Sequence, residues 1–401
     1  MKVLIISPHF PTPDVYNYSL SQDPRTKFLI TYAKEWVNKG HDVTVFHTIQ
    51  KYPKILNFFL KTAALIFPWL TRFCQDVRST KRTSFFYEGM GIIREPIIKF
   101  LPHRKLPSFI IRRYVFNNIV NNNRIDFDKY DVILLDYLSP SLDFFKYLDV
   151  KANIYPIFHQ TDWLYLNSKP SHYRDLLSFC SGVYFRNKTS QEVFNNRFSD
   201  LGLDTKIMYS GIPNDIEFGV PKVKVRKIIY VGRILKSKNI HDTLIALNLL
   251  PSEIKGEIEF EIIGDGEYLP ELKRMVSDFS LTAQVSFTPK LEHKYIFEKM
   301  ASADALVMVS KETFGMVYVE ALSQGCIVIA AQNEGIDGVV VDGENGFLLP
   351  LNDPLKLSEA LANLFSLSEN NVKKISKKSI SSASTMRNDM LASSLVSYFK
   401  R

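Results

Sequence analysis

The sequence predicts an α/β protein with two doubly wound, Rossmann-like domains. Short β-branched runs alternate with longer amphipathic stretches from one end to the other, which is typical of parallel sheets covered by helices on both faces. The chain has 401 residues, a length that favours more than one domain. About eleven strand-like runs are also too many for one open sheet, which rarely exceeds about ten strands.

The predicted strands form two series, one in each half of the chain. The first series is Val3–Ser7, Val43–His47, Val132–Leu135, Ile154–His159 and Val183–Arg186. The second series is Ile228–Val231, Phe260–Ile263, Val285–Phe287, Ala305–Val309, Ile327–Ala330 and Phe347–Leu349. The spacing of apolar residues predicts helices at Lys27–Lys39, Asp242–Leu250, Tyr268–Phe279, Leu355–Phe365 and Met390–Phe399.

The domain boundaries follow from this alternation. We place the join near Tyr209–Asn214, so that residues 1–208 form the first domain and 209–384 the second. The loose stretch 217–227 is predicted to act as a linker. The polar stretch Ser376–Ser384 is predicted to be a crossing segment, after which residues 385–401 form a helix that packs back on the first domain. Two such domains would face a cleft, with ligands outside the carboxyl ends of the strands.

The composition excludes several classes of protein. Hydrophobic residues make up 46% and charged residues 23%, which argues against a disordered, collagen-like or polytopic membrane protein. Three widely separated cysteines give no disulfide framework and no zinc knuckle, so a reducing compartment is expected. The apolar run after Met1 is too short for a signal peptide. We therefore expect a protein that is not exported and that stays in the cytoplasm.

The positive charge is concentrated in one stretch. The chain has a formal net charge of +8, and residues 51–113 contain 13 Lys and Arg but only three acidic residues. Phe and Trp side chains are mixed among these basic residues, which favours a segment lying on an anionic membrane surface. Helices packed on the core with a solvated basic face are the alternative. Nucleic-acid binding is not expected, because no recognised module accompanies the charge.

The densest group of chemically active residues follows the strand Ala305–Val309. Glu312 lies in a loop, Gly315 precedes a predicted helix, and Glu320 comes eight residues after Glu312. Unpaired N–H groups at a helix start make a site for a diphosphate, and glycine lets the backbone approach it. The two carboxylates could hold hydroxyls at two ends of an extended ligand. Alternatively, Glu312 only caps the helix and Glu320 is solvated.

These residues resemble the hallmark of family 4 retaining glycosyltransferases, which have the two-domain GT-B fold. The stretch from Glu312 to Glu320 is similar to the family's paired-glutamate motif. Tyr230–Asn239 resembles its G-R-L-x-x-x-K signature, and Ile262–Gly266 its I-x-G-x-G turn. Ser210–Pro213 and Gly335–Gly346 resemble two further family stretches. The resemblance covers nearly the whole chain, is strong over 205–350 and is loose over 50–150.

The resemblance implies that 1–208 is the acceptor-side domain and 209–384 the nucleotide-sugar-binding domain, and it implies a role for each matched residue. Arg233 and Lys238 would contact phosphate, Glu320 the ribose, and Glu312 the donor sugar. Fixed cations aimed at a departing diphosphate are also what this chemistry needs, since negative charge develops there. Further donor contacts are implied for Phe314, Gly315 and Met316, through their main chain, and for Gly264.

His159 is the candidate on the amino-terminal side. It ends a predicted buried strand at the point where the family often has a His or Asp near the transferred sugar, and Asp162 is a possible helper. A lone histidine at a strand end can also be purely structural. The family's first loop usually contains glycine, but residues 8–26 contain none; Arg25 or His9 could substitute.

The sequence does not favour a metal enzyme. Asp126-Phe127-Asp128 fits the Asp-x-Asp pattern of metal-dependent glycosyltransferases, but it precedes a strand instead of ending one. With Asp131 it is interpreted as a turn. We therefore expect neither a metal nor another cofactor. No Walker A loop and no Gly-x-Ser-x-Gly elbow is present.

The expected activity is that of a retaining, metal-independent glycosyltransferase with a nucleotide-sugar donor, UDP-linked in preference to GDP-linked. The basic aromatic stretch suggests a lipid-linked saccharide acceptor at the inner face of the plasma membrane, in the synthesis of bacterial capsule, O-antigen or exopolysaccharide. Two alternatives stay open: a sugar-nucleotide epimerase of the same fold and a non-catalytic nucleotide-sugar-binding scaffold protein.

Overall fold

The computed structural model describes residues 1–7, 10, 24–51, 54–67, 83–98, 125–136, 150–159 and 170–399. The chain divides into two compact units. Unit 1 comprises Met1–Phe185, Val193–Met208 and Ala392–Arg401. Unit 2 comprises Arg186–Glu192 and Tyr209–Leu391.

Unit 1 is built on an eight-stranded sheet with the order β3-β4-β2-β1-β5-β6-β7-β8. The strands are β1 (Lys2–Ser7), β2 (Asp42–Lys51), β3 (Thr83–Tyr87), β4 (Met90–Ile98), β5 (Val132–Asp136), β6 (Asn153–Phe158), β7 (Gly182–Phe185) and β8 (Asp204–Ile207). The described helices before residue 200 are α1 (Pro24–Asn38), α2 (Lys54–Ile66), α3 (Pro170–Leu177) and α4 (Lys188–Phe198).

The prediction of purely parallel strands was wrong at one edge of this sheet. Strand β3 pairs antiparallel with β4 through a tight turn at Glu88 and Gly89, both of which have positive φ. Strands β3, β4 and β8 were missed in the sequence. β3 and β8 alternate half-buried and exposed residues, so they lack the continuous apolar run that identifies a buried parallel strand.

The core of unit 1 is rich in aromatic side chains. Strands β1 and β5 are buried over almost their whole length. Phe158, Phe185 and Phe194 pack together with ring centroids 5.0 to 5.6 Å apart. Trp36 of α1 is fully buried, and its indole nitrogen donates to the carbonyl oxygen of Ala392 at 3.0 Å. This bond attaches the last described helix, α12 (Asn388–Phe399), to α1.

Unit 2 is built on a six-stranded, fully parallel sheet with the order β11-β10-β9-β12-β13-β14. The strands are β9 (Lys227–Val231), β10 (Glu259–Ile263), β11 (Val285–Thr288), β12 (Ala305–Met308), β13 (Ile327–Ala331) and β14 (Gly346–Leu349). The helices are α5 (Ile240–Leu249), α6 (Ser252–Lys255), α7 (Leu269–Asp278), α8 (His293–Ser302), α9 (Met316–Ser323), α10 (Pro354–Ser366) and α11 (Glu369–Ser384).

The predicted crossing segment Ser376–Ser384 is instead part of α11. Ser376 and Ser379 are fully buried and donate to the carbonyl oxygens of Gly325 and Asn345, at 2.6 and 2.8 Å. They lie on the same helix face as Val372. Serines whose hydroxyls donate to buried carbonyl oxygens can therefore line a packed helix face. Their segment nevertheless has the polar composition that is typical of a loop.

In both sheets, the direction in which successive strands are added reverses at one point. In unit 1 the chain builds outward from β1 through β2 and then returns to β5 on the other side. In unit 2 it builds outward from β9 and returns to β12. Ligands of such sheets bind outside the carboxyl ends of the strands at this switch point. The ends of β1 and β5, and of β9 and β12, are thus the places to look for sites.

No helix in the described ranges combines the length and the apolar character that a membrane crossing requires.

Candidate functional site

The switch point of unit 2 brings together two residues that the sequence predicts to bind a donor. Lys238 follows β9, Glu312 follows β12, and Lys238 Nζ donates a hydrogen bond to Oε1 of Glu312. Ser310 Oγ lies 3.2 Å from the same oxygen. Both charged side chains are largely buried, with 15% and 18% of their surface exposed. The alternative in which Glu312 caps the helix is not seen, since Gly315 is the N-cap residue of α9.

Arg233 lies in the loop directly after β9, where its side chain is exposed. Its carbonyl oxygen accepts a 2.8 Å hydrogen bond from the Tyr230 hydroxyl, which ties the loop to its strand. Burial raises the pKa of Tyr230, so this hydroxyl stays a neutral donor. The backbone of Arg233 is thus fixed beside the switch point, while its side chain is exposed to solvent.

Gly264 shapes this loop. Its φ is +146°, and a Cβ at this position would collide with the carbonyl oxygen of Gly232. Gly232 N donates to Ile263 O at 3.0 Å, and Ile234 N donates to Asp265 O at 2.9 Å. Only glycine allows the two loops to approach so closely. The geometry accounts for the predicted Gly264 as a residue that places the Arg233 loop.

The start of α9 is the third part of the site. Gly315 has a φ of +80°, which glycine adopts without strain, and it offers no side chain to cap the helix. The first N–H groups of α9 thus keep their capacity to bind an anion. Phe314 is buried and packs against Tyr209, with ring centroids 5.5 Å apart. Gly335 N donates to Glu312 O at 2.9 Å and fixes the other side of the loop.

Asn187 is a part of this site that the sequence reasoning missed. Its side-chain nitrogen donates to the carbonyl oxygen of Thr313 at 2.7 Å, and its side-chain oxygen accepts from Ser190 N at 2.8 Å. It thus caps α4 and holds the loop before α9 at the same time. An asparagine just before a helix is a recognisable cap in a sequence, but its second bond spans 126 residues.

Glu320 is buried in α9, so the alternative of a solvated carboxylate was wrong. It is 7% exposed, and its Oε1 accepts a 2.8 Å hydrogen bond from Nε2 of His293. His293 is the first residue of α8 and is mostly exposed. No pattern in the sequence connects these two residues, which are 27 positions apart. The pair lies on α8 and α9, which pack against each other.

The charges of this site suit an anionic ligand with hydroxyl groups. Lys238 and the start of α9 lie at the carboxyl ends of β9 and β12, and Arg233 is in the loop directly after β9. Glu312 lies in the loop before α9 and Glu320 lies within α9. Both carboxylates can accept hydrogen bonds from hydroxyls of a ligand. Burial, and the nearby Glu312 carboxylate, raise the pKa of Glu334. The site thus combines fixed cations with two carboxylates.

His159, predicted for the amino-terminal side, lies in unit 1 just after β6. It is 7% exposed, and its Nε2 lies 2.7 Å from Oδ1 of Asp136, the last residue of β5. Asp136 also accepts from Ser7 Oγ at 2.6 Å. The sequence reasoning missed Asp136 and Ser7, although each ends a recognisable apolar strand. Asp162 and His9 lie outside the described residues, as does the side chain of Arg25.

The Asp126-Phe127-Asp128 segment lies before β5, as expected, around a short 3-10 turn. Asp128 accepts from Lys151 N at 3.2 Å, and the following Asp131 accepts from Lys2 N at 2.7 Å. Both carboxylates thus tie neighbouring loops together. A search of the described residues finds no group of three or more His, Cys, Asp and Glu side chains placed to hold a metal ion.

The chain is similar to known glycosyltransferases in sequence. The profile described as "Glycosyl transferases group 1" matches residues 212–381. A relative from Methanocaldococcus jannaschii, "Uncharacterized glycosyltransferase MJ1069", is 24% identical over 331 residues, which is 76% of this chain and 82% of that protein. The "Lipopolysaccharide core biosynthesis glycosyltransferase LpsE" of Rhizobium meliloti is 27% identical over 138 residues, 34% of this chain and 38% of that protein.

Solved structures resemble the whole chain. The lipopolysaccharide outer core galactosyltransferase WaaB, in its apo form, has a TM-score of 0.68 at 15% identity and covers 99% of this chain and 98% of its own. Anabaena Alr3699/HepE in complex with UDP has a TM-score of 0.66 at 17% identity, with complete coverage of both chains. At such identities the likeness shows the fold, which is GT-B.

Proposed function

We propose that the chain is a glycosyltransferase that transfers a hexosyl or N-acetylhexosaminyl group from a UDP-sugar to a lipid-linked saccharide. The match of residues 212–381 to the glycosyl transferases group 1 profile and the GT-B fold of the chain support the transferase activity. The configuration at the sugar carbon is retained. The proposed binding of the nucleotide-sugar donor is supported above all by one observation. Lys238, Glu312 and the start of α9 lie together at the switch point of unit 2.

The donor's diphosphate binds to Arg233, Lys238 and the N–H groups at the start of α9. These are charge-assisted or helix-end contacts, which bind phosphate strongly. Glu320 accepts from the ribose hydroxyls, and Glu312 accepts from hydroxyls of the sugar. UDP is the preferred nucleotide and GDP the second candidate. Anabaena Alr3699/HepE, which has this fold, was solved with UDP.

The proposed reaction is a same-face displacement. The bond between the sugar C1 and the β-phosphate oxygen breaks, the acceptor hydroxyl oxygen attacks C1 from the same face, and its proton passes to the departing phosphate oxygen. Arg233, Lys238 and α9 stabilise the charge that develops on the diphosphate. We include no metal ion, since these fixed groups already supply positive charge at the leaving group.

The proposal of a lipid-linked acceptor is argued from the exposed surface of α2. Its sequence contains no acidic residue, and among its described side chains several large apolar ones are exposed: Phe58 by 68%, Leu65 by 84% and Ile66 by 72%. Phe58 and Phe59 form an edge-to-face pair on this surface. Exposed aromatic residues within a basic stretch suit the interface of an anionic bilayer.

A helix of this kind would keep the protein at the cytoplasmic face of the plasma membrane, next to a lipid-linked acceptor. The pathway we propose is the assembly of a bacterial surface polysaccharide, such as capsule, O-antigen or exopolysaccharide. The printed names of LpsE and WaaB refer to lipopolysaccharide, which supports this choice. Nucleic acid is not among the proposed partners.

The test is a transfer assay in EDTA. UDP-glucose, UDP-galactose, UDP-N-acetylglucosamine and GDP-mannose are each incubated with the protein and with lipid-linked saccharides extracted from bacterial membranes. We expect one UDP-sugar to add a single sugar to the lipid, with the anomeric configuration of the donor. The variant Glu312→Gln should slow the transfer by about a hundredfold or more, and Glu271→Gln, at a half-exposed glutamate of α7, should leave it unchanged.

Two results would contradict the proposal. If the sugar changes while it stays attached to the nucleotide and no acceptor is needed, the protein is an epimerase. If UDP binds but no acceptor is modified by any donor, the protein is a nucleotide-binding scaffold.

A further inference from the structure

Unit 1 contains a polar cluster at its switch point, formed by three side chains that are each less than a tenth exposed. Ser7 ends β1, Asp136 ends β5, and His159 follows β6. Ser7 Oγ lies 2.6 Å from Asp136 Oδ2, and His159 Nε2 lies 2.7 Å from Asp136 Oδ1. Each carboxylate oxygen thus has its own partner.

The chemistry of Asp136 fixes the roles of its two partners. An ionised carboxylate only accepts hydrogen bonds, so the Ser7 hydroxyl and the His159 Nε2–H group must both donate. The bond to Nε2 sets the tautomer and the plane of the imidazole. Phe28 of α1 meets the ring edge-on, with centroids 5.7 Å apart and planes at 62°. The ring is thus held by a hydrogen bond and by an aromatic contact.

The position of the cluster indicates function in preference to stability. A buried carboxylate is an expensive way to hold three strands together, because apolar side chains of similar size stabilise a core at least as well. The cluster lies at the carboxyl ends of β1 and β5, where the strand order reverses and where ligands of such sheets bind. The rest of these two strands is apolar and buried.

We propose that Asp136 is a positioning residue for His159 in the glycosyl transfer, and that Ser7 holds the second oxygen of the carboxylate. This inference rests on the proposed function and on the expectation, drawn from the family resemblance, that His159 lies near the transferred sugar. Asp136 does not act as a nucleophile, since both of its oxygens are engaged by donors. Asp136 instead keeps the imidazole in one tautomer and one orientation. This lowers the entropic cost of ordering the ring in each turnover.

The first test does not depend on turnover. The protein is labelled with ¹⁵N histidine, and the ring nitrogens are recorded at mildly alkaline pH, with His159→Gln used to assign the signals. In the wild type, His159 should carry its proton on Nε2. In Asp136→Leu, which removes the acceptor, the ring should show a mixture of tautomers. A proton on Nδ1 in the wild type, or an unchanged signal in Asp136→Leu, would overturn the proposal.

The second test is a kinetic cycle. Asp136→Leu should lower kcat by about a hundredfold, the loss that a misplacement of about 1 Å can cause, while the Kd of UDP stays unchanged. Asp136→Asn, whose amide oxygen can still accept from Nε2–H, should restore part of kcat. In the His159→Gln background, Asp136→Leu should have little further effect on kcat. Equal losses in both backgrounds would mean that Asp136 acts independently of His159.

The two tests separate failure of this inference from failure of the proposed function. Thermal melting of each variant confirms that it is folded. A protein with the expected tautomer but no transfer from any donor would contradict the proposed glycosyl transfer and support the Asp136–His159 link. A protein with full transfer activity in Asp136→Leu would contradict the positioning role alone.

Discussion

Lys238 and Glu312 form an ion pair across the switch point of unit 2, with Nζ of the lysine donating to Oε1 of the glutamate. One residue follows β9 and the other follows β12, so the pair joins the two loops on which the donor site is built. In the proposed complex the lysine binds phosphate and the glutamate binds the sugar. The pair thus keeps both side chains in place before the donor arrives.

Replacing Glu312 tests the separation of these two roles. Glu312→Gln keeps an oxygen that can accept from Lys238 but removes the negative charge. We expect UDP to bind with an affinity within a few-fold of the wild type, while kcat for transfer falls by about a hundredfold or more. Calorimetry gives the first quantity and a transfer assay gives the second. An unchanged kcat would remove Glu312 from the reaction.

Asn187 offers a matched pair of variants. Asn187→Asp keeps a cap for α4 but cannot donate to Thr313 O, whereas Asn187→Ala loses both bonds. Loss of the cap costs about 1 kcal/mol of stability, so only the alanine variant should melt at a clearly lower temperature. Both variants should bind UDP several-fold more weakly. Full UDP affinity in Asn187→Asp would show that the bond to Thr313 does not position the loop.

The buried strands and the residues at their carboxyl ends could be predicted from the sequence. Strands such as β9 and β12 are short, apolar and surrounded by helical patterns, and the charged residues that follow them are visible in the sequence. Five family-like stretches in the family's order then predicted that Arg233, Lys238, Glu312 and Glu320 serve one site, and the structure brings Lys238 and Glu312 of these into contact.

The remaining features could not be predicted, because they depend on contacts between distant residues. His293 meets Glu320 only because α8 and α9 pack together, and Asn187 meets Thr313 across more than a hundred positions. Asp136 was visible as the last residue of an apolar strand, but nothing local to it indicates His159. The helix α11 was missed because its buried serines resemble a polar linker in composition.

The pKa of Glu334 gives a pH-dependent prediction. Burial raises this pKa and the Glu312 carboxylate adds to the rise, while the Lys311 cation and a hydrogen bond with the Glu312 backbone offset it only in part. A carboxyl whose pKa is higher in the folded than in the unfolded chain destabilises the fold as pH rises through both values. Glu334→Gln should therefore increase the free energy of unfolding at neutral pH. The difference should vanish below about pH 4, where the carboxyl of the unfolded chain is protonated too.

Urea unfolding of both proteins at acidic and neutral pH measures this difference. A Gln variant that is less stable than the wild type at neutral pH would show that the ionised carboxylate stabilises the loop.

The membrane surface can be tested on α2. Phe58→Ser together with Phe59→Ser removes two exposed apolar rings, each of which contributes about 1.5–3 kcal/mol when fully buried. We expect sedimentation with vesicles of phosphatidylglycerol and phosphatidylethanolamine to fall at least tenfold. Phe179→Ser, a half-exposed aromatic residue outside the 51–113 stretch, is the control and should leave sedimentation unchanged.

Charge reversal to Glu at Arg72, Arg78, Lys81 and Arg82 tests the electrostatic part of the same claim, since each basic residue near an anionic surface contributes about 1 kcal/mol. Binding that is equal in all variants would exclude the 51–113 stretch as the membrane contact.

The central claim is that unit 2 binds a nucleoside diphosphate through Arg233, Lys238 and the start of α9, and calorimetric titration of UDP in EDTA tests it most directly. We predict saturable binding by the wild type, and a loss of about 1.5–3 kcal/mol of binding free energy in Arg233→Ala. Arg274→Ala, an exposed arginine of α7 paired with Glu271, should bind as the wild type does. Absence of UDP binding, or equal binding in Arg233→Ala, would contradict the account.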